Sequence, residues 1–474
     1  MTATKHVAII GGGIAGLSAA YHLQKKSAEA GQPLSYSLFE AGAELGGKIV
    51  TDASDGFIIE GGPDSFISQK PWARDLCLEL GLEDRLIGTN DAQRKTYVVQ
   101  RNRLRPLPDG VMLIIPTRFL PFALSPLISL PGKLRMAMDL IIPRRKEQGD
   151  ESLSSFITRR LGREALEKIA EPLMAGIYVA DPYRLSLRST FPRFLDMEQR
   201  YGSLVRAMLH QKRMRKKMMA GRKPLPLFMT LRGGLEELVQ TLVSRLNGQI
   251  RTRTPVQALE KTADGFLLTT GEETVHADAV IMSAPAANAR ALIQPMHSEL
   301  AAALSRIRYL STATVSLAFD RSQVRHPLDG FGFVVPKTES CRLMACTIVS
   351  TKFQERAPEG KVLLRAFVGG YHNEELVDLS DDDMIDLVMN ELDALLGIEG
   401  SPEKARVYRW RKANAQYDVG HAELVDRIEA MAADALPGLF FAGGAYRGVG
   451  IPDCIHHGEQ AAEKCVRFLS GPED

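Results

Sequence analysis

Near the N-terminus, short apolar runs alternate with a helix-spaced segment. HVAII (His6 to Ile10) is continuous and apolar, Ala15 to Lys26 repeats apolar residues at helical spacing among good helix formers, and YSLFE (Tyr36 to Glu40) is a second short apolar run. That order predicts a βαβ unit. From Arg94 to about Arg145 the chain turns proline-rich, apolar and basic, becomes helix-like to Ala175, and then carries the basic helix-like run Arg206 to Lys223. Strand patterns return at QIRTRTPVQALE, GFLLTT and ADAVIMSAP (Gln249 to Pro285). ATVSLAF, GFGFVV, LMACTIVS and KVLLRAFVGG predict an antiparallel sheet, followed by a helix over Asp381 to Leu396. The end of the chain again reads strand, glycine loop, helix, so the α/β part is expected in three sequence pieces with other material between them.

Composition adds bounds. At 474 residues the chain is too long for one core, and 45% hydrophobic with 24% charged residues is ordinary for a globular protein. Lys+Arg 59 against Asp+Glu 57 leaves a formal charge of +2, which gives no global reason to expect nucleic acid. Five scattered cysteines without a CxxC pair read as reduced thiols. MTATKHVAIIGGG runs straight into a glycine motif and not into a cleavable apolar stretch. The most apolar segment, Met112 to Leu130, is broken by Pro116, Pro121 and Pro126, which suits a pocket lining or a bilayer surface better than a membrane crossing.

The chemistry concentrates in glycines. Gly11, Gly13 and Gly16 form G-x-G-x-x-G between the first strand and the first helix, where glycine permits the tight turn, close approach to a pyrophosphate and helix packing. Glu40 ends the second strand, placed to accept hydrogen bonds from ribose hydroxyls, so a dinucleotide of either the NAD or the FAD type is expected. Two further pairs, Gly46-Gly47 and Gly61-Gly62, stand about a strand apart in ELGGKIVTDASDGFIIEGGPDSF. Near Pro452 a C-terminal helix begins after FFAGGAYRGVGI, and its positive end suits negative charge on a reduced cofactor ring.

Leu45-Gly46-Gly47-Lys48 is similar to the R-x-G-G-R-like motif of the flavin-containing amine oxidase superfamily, with Glu44 in place of the first Arg. GGGIAGLSAAYHL, LFEAGAELGGKI, GFIIEGGPDSF, GFGFVVP, RAP, LLRAFVGG and GVGIPDCI together resemble the protoporphyrinogen/coproporphyrinogen oxidase family over nearly the whole chain. The resemblance implies an α/β fold: an FAD-binding Rossmann-like domain of glutathione-reductase type in discontinuous pieces (1–88, 228–290 and 408–474), a mixed α+β substrate domain (89–108 and 291–407) and an inserted helical domain (109–227). It implies FAD held by Gly11, Gly12, Gly13, Ile14, Ala15, Gly16, Glu40, Ala41, Gly47, Lys48, Gly61, Gly62, Pro63, Asp64, Val256, Trp410, Gly443, Val449, Gly450 and Ile451. For the substrate it implies Phe331, Gly332, Val334 and Phe367 against the tetrapyrrole, with Lys70 pairing a propionate. Thr96 stands where plant and animal members carry an Arg, which leans toward the bacterial coproporphyrinogen branch.

The activity so implied is an oxidase of haem biosynthesis. It takes six hydrogens from coproporphyrinogen III or protoporphyrinogen IX in three rounds, with dioxygen as acceptor and hydrogen peroxide as product, in the cytoplasm. No side chain is expected as general acid or base, because pyrrole N–H protons can leave as aromaticity develops. Adjacent His456 and His457 cannot share a helix face, so no metal is expected. On the residues alone the aromatics also fit ordinary sheet core, Lys70 a solvated loop, and the basic run a solvated helix face or a contact with anionic lipid or a haem-pathway enzyme. An amine oxidase, a carotenoid desaturase and a non-catalytic carrier on the same fold stay open. Alanine at 47 or 62 is expected to cost cofactor before it costs folding.

Overall fold

The computed structural model describes residues 4–471 except 109–110, 113–114, 117–118, 148 and 219–224. Parts of the apolar stretch (113–114 and 117–118) and of the basic run (219–223) therefore lie outside the described residues.

Continuous apolar runs form strands covered on both faces. Val7 to Ile10, Leu38, Phe39 and Val280 to Met282 are all buried. They build a five-stranded parallel sheet in the spatial order Gln249–Arg251, Leu34–Phe39, Lys5–Ile10, Ala279–Met282, Leu439–Phe441. Every neighbouring pair is parallel, with Val7 opposite both Tyr36 and Ala279. The expected βαβ unit is present, its helix running Ile14–Glu29.

A seven-stranded sheet has the order Lys404–Gln416, Arg308–Asp320, Lys361–Gly369, Ala345–Ile348, Gly330–Val334, Lys95–Gln100, Arg103–Pro106. It is antiparallel except where Gly330–Val334 meets Lys95–Gln100. One face, with Ala313, Val315, Leu317, Leu364 and Ala366, buries Met384, Leu387, Val388 and Leu392 of the helix Asp381–Leu396. That helix has the expected bounds because its ends are written in the sequence: Ser380 accepts a bond from the Asp383 amide, three Asp sit in the first turn, and Gly397 closes it at φ 65°. The opposite face of the long strand presents Thr312, Thr314 and Ser316, also buried. The expected domain boundary at 408 falls inside the strand Lys404–Gln416, which pairs along Arg308–Asp320, so Trp410 is carried by this sheet.

A helical layer between Phe119 and Met218 has its own core of Phe156, Ile157, Ile169, Phe194 and Met197. That core extends to Val334 and Ala345 of the seven-stranded sheet and to Tyr417, with Phe367 and Val449 packed against it. Inside it lies a fully buried ion cluster in which the Arg160 Nε donates to Asp139 Oδ1 at 2.6 Å while Nη1 lies 3.4 Å from Glu198 Oε1. The five cysteines are unpaired.

Candidate functional site

The parallel sheet delivers glycine loops at the carboxyl ends of its strands, and there the loop after Ile10 interlocks with the one at Gly46. Gly46 N donates to Gly12 O at 2.8 Å, and Gly13 bridges Gly46. A Cβ on Gly16 would stand 1.9 Å from Gly11 O, while one on Gly13 would meet only the Gly47 Cα at 3.9 Å. The first contact is helix packing and the second leaves bare backbone facing open space. Gly443 is similarly open, its nearest neighbours 3.7 and 3.8 Å away. The first helix begins at Ile14 after Gly13, and the C-terminal helix Ile451–Ser470 begins after Gly450 with Pro452 in its first turn. Neither N-terminus is capped by a side chain, so amide donors of both first turns remain available. The two helices meet closely, with the position of a Cβ on Gly458 only 2.4 Å from Ala15 O.

Lys48 completes this corner. Its Nζ donates to Ala413 O at 2.9 Å, solvent reaches it although protein surrounds it, and the resulting desolvation lowers its pKa. Among the described residues no carboxylate pairs with it. A solvent-accessible cation without an acid, beside two uncapped helix N-termini and bare glycine backbone, fits the pyrophosphate of a dinucleotide. Glu40 accepts from the amides of Gly12 and Gly42, both at 2.7 Å, with acceptor capacity left for ribose hydroxyls. Its carbonyl takes the Thr254 amide at 2.8 Å, which brings the loop containing half-buried Val256 alongside, while Ala41 is exposed.

The second glycine pair is built differently. Gly61 faces Tyr408, whose ring atoms would lie 2.8–3.0 Å from an added Cβ, and a Cβ on Gly62 would fall 1.8 Å from the Lys48 carbonyl. Both glycines are therefore demanded first by protein packing. The expectation that alanine at 62 costs cofactor before folding does not survive this contact, because the obstacle is backbone. Gly61 O accepts from Trp410 Nε1 and Thr314 Oγ1, each at 2.9 Å, and from Arg365 Nη2 at 3.3 Å. Pro63 and Asp64 follow, half-buried. Burial alone would raise the Asp64 pKa, but the charges of Lys352, 2.7 Å away, and Arg365 hold it well below the usual carboxylate range. Glu60, almost wholly buried, goes the other way: desolvation lifts its pKa to about 7 despite bonds from Thr51 Oγ1 and the Leu235 amide.

Of the substrate candidates, Phe331 lies at a bulge between Gly330 and Gly332 and joins none of the described core clusters. Gly332 (φ 142°) is fixed by the Cys346 carbonyl, 2.0 Å from where its Cβ would be. Val334 is nearly buried under the helical layer, 3.8 Å from the Cβ position of Gly176, and half-buried Phe367 stacks beneath the Arg365 guanidinium at 4.9 Å. Lys70 pairs with Asp453, in the first turn of the C-terminal helix, at 2.5 Å.

Several participants had escaped sequence reasoning. Asp453 holds Lys70, and Tyr417 links Gly444 O (3.0 Å) to the Gly448 amide (2.7 Å) across the C-terminal loop. Burial pushes the Tyr178 hydroxyl up to about 12, with the charge of Asp453 acting in the same direction. Tyr178 ends the helix Glu171–Tyr178, which follows a π-helical turn at Leu166–Ala170 and precedes Val179 at φ 55°, a strained backbone for a β-branched residue. Only the fold brings these together.

Comparison with known proteins agrees with this geometry. The family described as flavin containing amine oxidoreductase matches residues 14–466. The chain is 40% identical over 469 residues to a coproporphyrinogen III oxidase of Bacillus subtilis (strain 168), covering 98% of each chain. It is 28% identical over 498 residues to protoporphyrinogen oxidase 2, chloroplastic/mitochondrial, of Arabidopsis thaliana, covering 98% of this chain and 94% of that one. A solved structure from Exiguobacterium sp. 255-15 superimposes with a TM-score of 0.87 at 33% identity, covering 99% of this chain and 100% of that one. With a glycine cradle, a lysine without an acid beside it and a family match that runs from the first helix to the last, the chain belongs to the flavin containing amine oxidoreductase family.

Proposed function

We propose that this protein is a coproporphyrinogen III oxidase of haem biosynthesis, taking six hydrogens from its substrate in three rounds and passing the electrons to dioxygen with release of hydrogen peroxide. The observation that carries the reading is the 40% identity that extends over 98% of both chains to a relative of that name. FAD is the cofactor, and when bound it supplies the two-electron redox chemistry.

The chain's own residues would bind and orient. Gly11 to Gly16, Gly47, Lys48, Gly443 and Val449 to Ile451 would hold the pyrophosphate and ring, Glu40 and Val256 the ribose and adenine end, and Gly61 to Asp64 with Trp410 the isoalloxazine. Phe331, Gly332, Val334 and Phe367 would line the apolar slot for the macrocycle. Lys70 would exchange part of its pairing with Asp453 for a substrate propionate. The three-part division into FAD, substrate and helical domains belongs to the same proposal.

No helix among the described residues is long and apolar enough to cross a membrane. We place the protein in the cytoplasm with peripheral membrane contact through the helical layer. Leu130, Leu134, Met138 and Ile141 recur at helical spacing, and with Leu120 and Leu124 all are exposed.

Supplying coproporphyrinogen III and protoporphyrinogen IX in turn, with porphyrin fluorescence and peroxide followed together, tests the reading. Faster turnover of coproporphyrinogen III is expected, and oxidation of neither would overturn it.

A further inference from the structure

The turn Gly61–Asp64 rests on a buried set of charges that is not balanced. Arg365 is 2% exposed and spends its guanidinium on the carbonyls of Gly61 and Gly62, with no carboxylate partner among the described residues and with its Nε unsatisfied. Arg356, 1% exposed, gives its donors to Leu231 O at 2.7 Å, Arg232 O at 2.9 Å and Thr230 Oγ1 at 3.1 Å. Lys352 pairs with Asp64. Of the carboxylates whose charge reaches the two arginines, Glu355 and Glu237 are already paired with Arg232 and Arg85, which leaves Asp64 and Glu60 against Arg365, Arg356 and Lys352, so positive charges outnumber negative ones even when Glu60 is ionised. Burial pulls the pKa of both arginines down, with Asp64 and Glu60 opposing, yet an arginine stays charged at any working pH.

A guanidinium stripped of water costs free energy unless it is paired or fully hydrogen-bonded. Leucine or threonine would fill a strand position facing Gly61 without that cost, since neighbouring Thr314 and Trp410 already tie down the same carbonyl. What Arg365 adds beyond fastening the turn is a fixed cation, held in one plane by its two carbonyls and the face of Phe367.

We propose that Arg365 is a positioning residue that sets the redox poise of the bound flavin: it locks the Gly61–Gly62 carbonyls and places an uncompensated positive charge beneath the turn that favours electron uptake. This rests on the reading that Gly61–Asp64 carry the isoalloxazine. In a low-dielectric interior a fixed charge acts on its neighbours far more strongly than in water. Asp64 lies on the same turn with the opposite sign, so it opposes the effect of Arg365.

The test is the midpoint potential of the protein-bound flavin, measured by spectroelectrochemistry on the purified holoprotein. Arg365→Gln, which keeps a donor and loses the charge, is expected to lower the potential by at least ~30 mV, a tenfold change for a two-electron couple. Arg365→Lys keeps the charge and should hold the potential while flavin dissociates faster. Asp64→Asn should move it upward. If Arg365→Gln folds but loses its flavin, or does not fold, the Asp64→Asn potential decides, and an unchanged value there overturns the proposal. Unchanged potentials in both variants with flavin bound do the same. A parent protein that binds no flavin would instead refute the cofactor reading, so the two failures are distinguishable.

Discussion

Glu60 gives the chain a pH dependence that can be worked through. Its carboxyl is 3% exposed and accepts from Thr51 Oγ1 and the Leu235 amide, with Arg356 and Arg365 contributing charge from the side of the sheet, but desolvation prevails and its pKa rises from 4.5 to about 7. A carboxyl with a raised folded-state pKa binds protons more tightly folded than unfolded. Its contribution to stability is therefore fully present below the unfolded value and is lost as pH rises through 7. Between pH 5 and pH 8 the loss is on the order of 2–3 kcal/mol, since a tenfold change in proton affinity between the two states is worth about 1.4 kcal/mol and part of the contribution is already gone at pH 5. Glu60→Gln keeps an acceptor for Leu235 and cannot ionise. Urea unfolding of the cofactor-free protein should show the parent midpoint falling relative to the variant across that window. Other groups titrate alike in both proteins and cancel in the difference. Parallel midpoints from pH 5 to pH 8 would refute the buried-carboxyl argument.

Four more perturbations follow from the same geometry. Gly62→Ala sets a Cβ 1.8 Å from a backbone oxygen and should cost cofactor-free stability by about 1–3 kcal/mol in urea unfolding, and a midpoint equal to the parent's would mean that the Lys48 contact is misplaced. Gly47→Ala, at φ 63° with 3.2 Å to the Gly13 Cα, should cost only about 1–2 kcal/mol of backbone strain and act chiefly on the flavin-to-protein ratio after gel filtration. Lys48→Met removes a cation that has no carboxylate partner among the described residues, so the flavin dissociation constant should rise about tenfold or more while cofactor-free stability holds, as equilibrium dialysis and urea melts would show. Arg160→Leu leaves the fully buried Asp139 without its counter-charge, with only Ser203 Oγ and the Val205 amide still donating to it, while Glu198 keeps Arg159; it should destabilise by about 3–5 kcal/mol, with early proteolysis between Phe119 and Met218 as its sign.

Much of the architecture was legible because local signals and packing agreed. Continuous apolar runs marked the parallel strands, and Ser380 with Gly397 marked both ends of the helix between them. The glycine motifs were readable for the same reason: G-x-G-x-x-G admits few backbones, and its neighbours Glu40 and Lys48 sit close in sequence. What escaped were contacts whose partners lie hundreds of residues apart. Lys70 was visible as a cation, but nothing near it in sequence names Asp453 as its partner. The 13-residue strand Lys404–Gln416, which continues the antiparallel sheet across position 408, was hard to see because charges at 404, 406, 409, 411 and 412 disguise its alternation.

The long strand Arg308–Asp320 held a signal that was there to be used. Thr312, Thr314 and Ser316 alternate with Ala313, Val315 and Leu317, the pattern of a strand with one wet face, yet no charged residue occurs between Tyr309 and Phe319. A solvent-facing strand of that length would normally carry Lys, Glu or Arg on its polar side. Small hydroxyls in every polar position mean a face that is polar and closed, suited to meeting backbone carbonyls. Thr314 does so at Gly61 O, and from the adjacent strand Arg365 reaches the same carbonyl across one sheet spacing. The absence of charge on an alternating strand therefore locates the sheet face that holds the second glycine pair, and the buried arginine beside it is the exception that asks for a functional reason.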